Sequence, residues 1–448
     1  MPLASLSQRL HVSSLISGLR SYPILLAISI TSLGILSLWP FSGGEDVANA
    51  RQNILSGERT DFWGGFAQFF YSAWGLNAPL WHIVLGLIHA LLVLTGTVLT
   101  LKRVKDQNYS KVMLVALLFL HYLATIYVLN LSRDATLLAF LWIGISLLFH
   151  VSDAREVSYL MLTLAILLII IGFGFRPWLA VAFVPLVLAL IHSSRIPVRR
   201  AKKSLLLIVA FSFMSAGPLA LDSASKKLMN LEASYPEQQV MILDIASIAC
   251  LSPNKASQSQ ALDALVPISS SSNLTRERLC GQFYPQSWAA LTFYSNPSDP
   301  ALRMVGVNEE RTYENLRESW LGLLISQPFD YLQIKVFQFS QLFLAGDSIR
   351  LVPDSFIEIY LIPFELIKAL RLLSFAPILI LFSWLTFSPR FIAKLKLRRN
   401  IFMSYLLTIL TITIAFIGDN QRYISWLALI LLFSYLNASK SAEMRESS

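Results

Sequence analysis

The chain has 448 residues, of which 55% are hydrophobic and only 14% are charged, and its mean hydropathy is +0.59. This composition excludes an ordinary soluble protein and indicates a polytopic membrane protein. The net charge of +9 would suggest nucleic acid as the partner of a soluble protein. In a membrane protein, a positive net charge is explained more simply by the excess of Lys and Arg in the cytoplasmic loops. We therefore expect membrane lipids, and no nucleic acid, around this chain.

Apolar runs of about 17 to 22 residues, long enough for a helix to cross a hydrocarbon core, recur along the chain. The first run follows Arg9 and Arg20 in the sequence. It is longer than the apolar core of a signal peptide, which is about 7 to 15 residues, and we predict a retained helix. The predicted spans are 22–41, 80–101, 111–131, 135–151, 157–175, 177–193, 204–221, 372–388, 401–417 and 423–437. The fold class is thus an all-α polytopic membrane protein with about ten transmembrane helices.

The basic residues predict the orientation of these spans. Of the 36 Lys and Arg residues, 19 lie at the two termini and in the loops after even-numbered spans, and 5 lie in the short loops opposite. The other 12 lie in the long segment 222–371, which does not decide orientation because long loops cross regardless of charge. We expect a multi-pass plasma (inner) membrane protein with both termini cytoplasmic.

The long segment divides the chain into three predicted parts. Residues 1–221 form an N-terminal membrane domain of about seven helices, 222–371 an extracytoplasmic domain, and 372–448 about three more membrane helices. Within the extracytoplasmic domain, which we expect to be mainly helical and irregular, 240–249 looks ordered and partly buried, whereas 252–260 is typical of a loop. Residues 331–344 have helical spacing and predict an interfacial helix at the outer membrane surface, or alternatively a packed helix of a small subdomain.

Two cysteines, Cys250 and Cys280, both fall in the extracytoplasmic segment. An oxidising compartment favours a disulfide between them, and two unrelated thiols are the alternative. Such a bond would close a loop of about 30 residues and contribute roughly 3 kcal/mol to stability by chain-entropy reasoning.

Charged side chains gather where the predicted spans meet the outer surface. Glu45 and Asp46 follow the first span, and Asp61 lies in the same loop. The short connections between later spans hold Arg133, Asp134, Arg176, Asp419 and Arg422. Each of these could be an ordinary boundary charge, but charges at membrane depth are costly and often mark function. Their combination on one face, beside an outward domain, indicates a site.

Carboxylates and arginines together suit one kind of chemistry. The planar guanidinium of arginine binds phosphate through paired hydrogen bonds. A carboxylate can act as the general base that activates a hydroxyl group. The pattern predicts a transferase that uses a lipid-phosphate donor and an outward-facing acceptor.

The layout resembles the GT-C glycosyltransferases, integral-membrane enzymes that use polyprenyl-phosphate sugars, and in particular poorly characterised bacterial members. The similarity lies in an acidic first outer loop, short second and third outer loops and a large late outer domain. The segments that carry it are Glu45-Asp46 through Asp61, Arg133-Asp134, Arg176-Pro177-Trp178, residues 242–246 with Cys280, and residues 419–423. In that family the first-loop acid is typically the catalytic base, which by position implies Asp46, with Glu45 as its neighbour or substitute.

The resulting hypothesis is sugar transfer from a polyprenyl-phosphate carrier to a cell-envelope glycan or lipid. Asp134 or Asp61 would orient the acceptor or assist, while Arg176, Arg422 and Arg133 would hold the donor phosphate. We expect no cofactor, because the six histidines are scattered and no cluster indicates the divalent metal that some relatives need. The alternatives are a transporter or flippase of lipid-linked oligosaccharide and a non-enzymatic envelope protein.

Overall fold

The computed structural model describes the larger part of the N-terminal bundle and of the following domain. The described residues are 23–38, 51–52, 55, 64–73, 80–106, 111–129, 131–153, 158–193, 200–270, 273–283, 291–292, 298–344, 403–404, 407, 430 and 433–434. In this part of the chain all regular elements are helical, and an isolated antiparallel bridge joins Ser269 and Leu302. The all-α prediction is confirmed for these residues.

The helices are numbered here in chain order. They are α1 Pro23–Leu38, α2 Gly65–Ala73, α3 Trp81–Asp106, α4 Lys111–Leu129, α5 Arg133–Asp153, α6 Tyr159–Gly174, α7 Ala180–Ser193, α8 Arg200–Met229, α9 Gln238–Leu251, α10 Lys255–Leu265, α11 Arg276–Gln282, α12 Glu310–Ser326 and α13 Pro328–Leu344. Short 3-10 turns, Pro177–Leu179 and Val266–Ile268, precede α7 and follow α10.

Each of the seven spans predicted before residue 222 coincides with a described helix. Three stretches are long and apolar enough to cross a membrane, namely Trp81–Lys102, Arg133–Val151 and Leu207–Met229. The helices α1, α4, α6 and α7 are apolar but shorter. These features indicate a membrane protein. The spans predicted at 372–388, 401–417 and 423–437 lie outside the described ranges, apart from isolated positions.

Helix α5 forms the centre of the N-terminal bundle. It packs against α3 and α6, and its Trp142 is completely buried. The close approach of α3 and α6 to α5 depends on glycine residues at the contacts. A Cβ at Gly96 of α3 would lie 2.9 Å from Trp142 Cδ1, and one at Gly144 would lie 3.2 Å from the carbonyl oxygen of Ala165 in α6. Small residues at such crossings let apolar helices gain dispersion contacts over a long length.

Polar groups inside the bundle bond to one another. His121 on α4 places Nδ1 2.9 Å from Thr97 Oγ1 and Nε2 3.0 Å from Thr31 Oγ1, and Trp142 Nε1 donates to Thr97 Oγ1 over 3.0 Å. This network joins α1, α3, α4 and α5 through side chains that water does not reach. Such bonds are expected wherever polar groups lie among apolar helices.

Described residues of the C-terminal part contact the N-terminal bundle. Pro185 interrupts the hydrogen bonding of α7, and the next backbone amide, Leu186 N, donates to Ser404 Oγ over 3.1 Å. The ring of Phe433 stacks on Trp142 with the centroids 4.0 Å apart. Residues on both sides of the long segment therefore contribute to one bundle.

Helix α8 connects the bundle to the following domain. It contains the predicted span 204–221 and continues beyond it to Met229. Its last turns expose polar side chains while retaining contact with α2.

The domain after α8 is built around α9, where residues 241–249 are all buried, in line with the order and partial burial predicted for 240–249. Helices α10 to α13 surround α9, and Cys250 forms a disulfide with Cys280 across a Cα separation of 5.5 Å. This separation lies within the range that a disulfide requires. The loop expected at 252–260 is wrong, because α10 begins at Lys255 with Asn254 as its N-cap.

Helix α9 also connects the two cores. Its Leu243 is completely buried and belongs to the apolar core of the N-terminal bundle, whereas its neighbours Ile242 and Ile245 belong to the core of the domain. Phe283, which follows α11, packs against both cores. The domain therefore lies directly against the bundle.

Candidate functional site at the ends of the outer spans

Two charged residues predicted for the site lie at the beginning of α5. Ser132 caps this helix, since its Oγ accepts a hydrogen bond from Ala135 N over 3.1 Å. The cap fixes Arg133 and Asp134 in the first turn, where a carboxylate interacts favourably with the helix dipole. Arg176 is positioned differently, in the sharp connection between α6 and the 3-10 turn that starts at Pro177.

The structure brings Asp134 and Arg176 together as a buried ion pair. Arg176 Nε donates to Asp134 Oδ1 over 2.9 Å, and Nη2 reaches Oδ2 at 3.5 Å. The exposed fractions of the two side chains are 9% for Arg176 and 0% for Asp134. Paired bonds of this geometry fix the plane of the guanidinium and neutralise both charges in a region with little water. The pair ties the N-terminal end of α5 to the C-terminal end of α6.

The pairing changes what can be expected of these two residues. The sequence hypothesis treated Asp134 as an acid near the acceptor and Arg176 as a separate phosphate ligand. In the structure the guanidinium already has a carboxylate partner, so a phosphate would have to share or replace that partner. The ion pair fixes the orientation of both side chains.

Helix α2 packs over the residues next to this pair. Its Tyr71 hydroxyl lies 3.0 Å from Thr136 Oγ1, two residues after Asp134. Its Phe66 and Phe70 contact the ring of Phe175, which precedes Arg176, at centroid distances of 5.3 and 5.1 Å. These aromatic rings exclude water from the neighbourhood of the ion pair. Helix α2 lies in the connection between the first two predicted spans, 22–41 and 80–101, where no helix was predicted.

Gly174 makes this close approach possible. A Cβ at Gly174 would lie 2.5 Å from Phe66 Cδ1, closer than such atoms come in real structures. Gly64 has a φ of +83°, a conformation that side chains with a Cβ rarely adopt. Gly64 therefore determines how the chain enters α2, and Gly174 determines how closely α2 approaches α6.

A second group of charges surrounds the N-terminus of α2. The amide of Phe66 donates to Asp222 Oδ1 over 3.1 Å, so that a carboxylate of α8 caps α2 from outside. Asp222 also pairs with Lys226 one turn later, at 3.2 Å. A Cβ at Gly64 would lie 3.7 Å from Asp222 Oδ1 and 3.8 Å from Arg133 Nη1, which places both side chains beside this glycine. Arg133, Asp222 and Lys226 thus meet at one helix end.

Sequence reasoning missed Asp222 and Lys226 because it assigned them to the outer domain. The available signal was their spacing of four residues at the end of an apolar run, which is typical of an exposed helical turn. The other predicted site residues, Glu45, Asp46, Asp61 and Arg422, lie outside the described residues. Of the predicted set, the structure joins Asp134 to Arg176 and places Arg133 beside Gly64 and Asp222.

A third charged group is buried inside the domain. Asp244 of α9 lies 2.6 Å from Lys335 Nζ and accepts hydrogen bonds over 3.0 Å from Trp320 Nε1 and from the Tyr331 hydroxyl. Burial raises the pKa of Asp244 above its ordinary value, while Lys335 and the two hydrogen bonds partly offset this effect. Burial, and then the charge of Asp244, raises the pKa of Tyr331. This group joins α9 to α12 and α13.

Metal ligands are not clustered in the described part of the chain, where no group of three or more His, Cys, Asp or Glu side chains is placed to hold an ion. No family model, no curated protein and no solved structure matches this chain.

Proposed function

We propose that the protein is an integral-membrane glycosyltransferase of the GT-C type with about ten transmembrane helices. It would transfer a sugar from a polyprenyl-phosphate carrier to a cell-envelope glycan or lipid at the outer face of the membrane. The observation that carries the proposal is the buried Asp134–Arg176 pair at the ends of two apolar helices, beside Arg133, Asp222 and Lys226. Charges at this depth are costly and are commonly retained for function.

In the proposed reaction, the acids and arginines predicted from the sequence have separate roles. The acceptor hydroxyl oxygen attacks the anomeric carbon of the sugar, the bond from that carbon to the phosphate oxygen breaks, and the phosphate leaves with the electron pair. Asp46 takes the proton of the hydroxyl group, with Glu45 beside it and Asp61 assisting. Arg422 and Arg133 stabilise the charge of the leaving phosphate, since guanidinium groups donate paired hydrogen bonds to phosphate oxygens.

The ion pair and α2 would keep the adjoining ends of α5 and α6 in fixed positions at this site. Asp134 keeps the Arg176 guanidinium in one orientation, and the aromatic rings of α2 limit water around it. Removing water strengthens the electrostatic interaction between arginine and phosphate. The prenyl chain of the donor would remain in the bilayer while its phosphate reaches the helix ends.

A donor-turnover assay tests this function. The purified protein is placed in nanodiscs and given polyprenyl-phosphate hexoses with a labelled sugar, together with an envelope fraction from a strain that lacks the protein. We expect release of polyprenyl phosphate and transfer of the label to the envelope fraction with at least one donor. The proposal is wrong if the donors stay intact, or if the labelled lipid only crosses the bilayer of proteoliposomes unchanged, as a flippase would cause.

A further inference from the structure

An apolar face that is exposed among the described residues runs along α12 and α13. Ile325 and Phe329 are each 80% exposed, Leu332 58% and Val336 56%. These residues recur at intervals of three and four, so that in α13 they form one stripe along the helix. We call the exposed residues Leu321, Ile325, Phe329, Leu332 and Val336 the outer apolar face.

The polarity of α13 is the reverse of that of an ordinary surface helix. Its two charged residues, Asp330 and Lys335, are turned toward the domain, where Asp330 Oδ2 accepts from Ser252 Oγ over 2.9 Å and Lys335 pairs with Asp244. Gln338 is also buried, and its Nε2 donates to Ser247 Oγ over 2.7 Å. The helix thus satisfies its charges internally and leaves apolar side chains outside.

The position of α13 relates this face to the membrane. The residue before Asp244 on α9, Leu243, is buried in the core of the membrane-spanning bundle. Helix α13 packs on α9 next to this position, through Asp244 and Ser247. Helix α13 thus packs on the helix through which the domain contacts the bundle.

The chain on either side reinforces this placement. The domain begins directly after α8, which is a candidate span up to Met229, and the next apolar run follows α13 at residues 372–388. Both ends of the domain are thus tied to the bilayer, and a lipid surface is always close to it.

We propose that the outer apolar face inserts into the interfacial region of the leaflet next to the domain, with lipid as its occupant. Apolar side chains of a helix lying in the membrane plane are buried between headgroups and acyl chains, which removes them from water. The buried Asp244 group holds α12 and α13 in the orientation that presents this face. The proposal concerns membrane attachment of the domain and is independent of the proposed function.

Site-directed spin labelling of the full chain in nanodiscs tests it. Both native cysteines form the disulfide, so a single introduced cysteine provides one free thiol. The test positions are Leu332→Cys, Val336→Cys and Phe329→Cys. Ser259→Cys on the exposed side of α10 is the aqueous control, and Phe211→Cys on the exposed side of α8 is the lipid control. For each spin label, the rate of collision with oxygen, which concentrates in lipid, is compared with the rate of collision with a water-soluble nickel complex.

We expect labels at 332 and 336 to resemble the lipid control, with high oxygen and low nickel accessibility, and Ser259→Cys to show the opposite. Nickel accessibility like that of the aqueous control would overturn the proposal. Labels that neither reagent reaches would overturn it as well, because protein would then cover the face, either residues of this chain or a second copy. The labelled side chains are exposed, so these substitutions leave the core of the domain intact, and size-exclusion profiles check folding.

Discussion

The pair formed by Asp134 and Arg176 shows what a residue at a helix end can and cannot reveal in sequence. Each was recognisable as a charge beside an apolar run, which is why both were assigned to the site. Their direct contact spans 42 residues of sequence and depends on the packing of α5 against α6. Without that packing, pattern alone could not distinguish a free phosphate ligand from a partner in an ion pair.

Breaking this pair from one side should destabilise the bundle. Asp134→Asn or Arg176→Gln would leave the other charge buried without its partner, which typically costs about 3 to 5 kcal/mol. The double substitution should cost less than the sum of the two, since neither charge remains. Thermal unfolding of the purified protein in detergent, followed by size exclusion, measures the three variants. Strictly additive losses would show that the two side chains do not stabilise each other.

Asp244 should make domain stability depend on pH. Because burial raises its pKa, the native state binds the proton more tightly than the unfolded chain does. Stability is therefore lost as pH rises from about 4, the ordinary value for the unfolded chain, to the raised pKa of the native state. Lys335→Met removes the cation that lowers this pKa and should widen the range in which stability falls.

Melting temperatures across the acid and neutral range measure this effect. We expect the melting temperature of Lys335→Met to decrease with pH more steeply than that of the native protein. The matched control, Asp244→Asn with Lys335→Met, has no carboxyl group to titrate and should lack the additional slope. Parallel profiles for all three proteins would exclude Asp244 as the cause.

At the scale of elements, α2 was the least predictable helix and the most important for the site. It has only 9 residues, and its side chains Phe66, Phe70 and Tyr71 read in sequence as part of an aromatic-rich loop. Its N-terminal cap comes from Asp222, 156 residues later. Local propensity cannot encode such a cap, whereas the long apolar runs of α3 and α8 were predictable from composition alone.

Removal of this cap should loosen α2 selectively. Asp222→Ala takes away the acceptor for Phe66 N, and loss of a capping side chain typically costs about 1 kcal/mol. Asp222→Asn retains a side-chain oxygen and should preserve most of the protection. Hydrogen exchange measured by mass spectrometry on peptides that cover residues 64–73 compares the variants. Equal exchange in the alanine variant and the native protein would show that Asp222 does not cap α2.

Helix α10 illustrates a different reason for an incorrect prediction. Its Ser- and Gln-rich sequence resembles a loop, but Ser257, Ala261 and Leu265 are buried at intervals of four residues. Small side chains such as those of serine and alanine suffice for close packing against α9. The helical period was thus present in the sequence, although residue polarity concealed it.

At the scale of the molecule, composition predicted a helical membrane protein, and basic residues predicted its orientation. A described helix lies at each of the first seven predicted spans, and three of these helices are long and apolar enough to cross a membrane. The relation between the bundle and the outer domain could not be predicted, since it depends on contacts such as those of Leu243 and Phe283.

The distribution of Lys and Arg predicts cytoplasmic termini, since 19 lie at the termini and in the loops on that side and 5 lie in the short loops opposite. We expect a reporter fused after Lys440 to be active if it works in the cytoplasm and inactive if it works only outside. The same reporters inserted at Ser298, an exposed position between α11 and α12, should give the opposite result. Activity of the outward reporter after Lys440 would reverse the orientation.

The most direct test of the central claim compares Asp46→Asn with Arg422→Ala in the donor-turnover assay. Asp46→Asn removes the base and little volume, so donor binding should persist while turnover falls by about 100-fold to 10,000-fold. Arg422→Ala should instead weaken binding of the donor phosphate, because a charge-assisted hydrogen bond is lost. Full turnover by Asp46→Asn, with donor binding unchanged, would contradict the assignment of Asp46 as the base of an outward-facing glycosyltransferase.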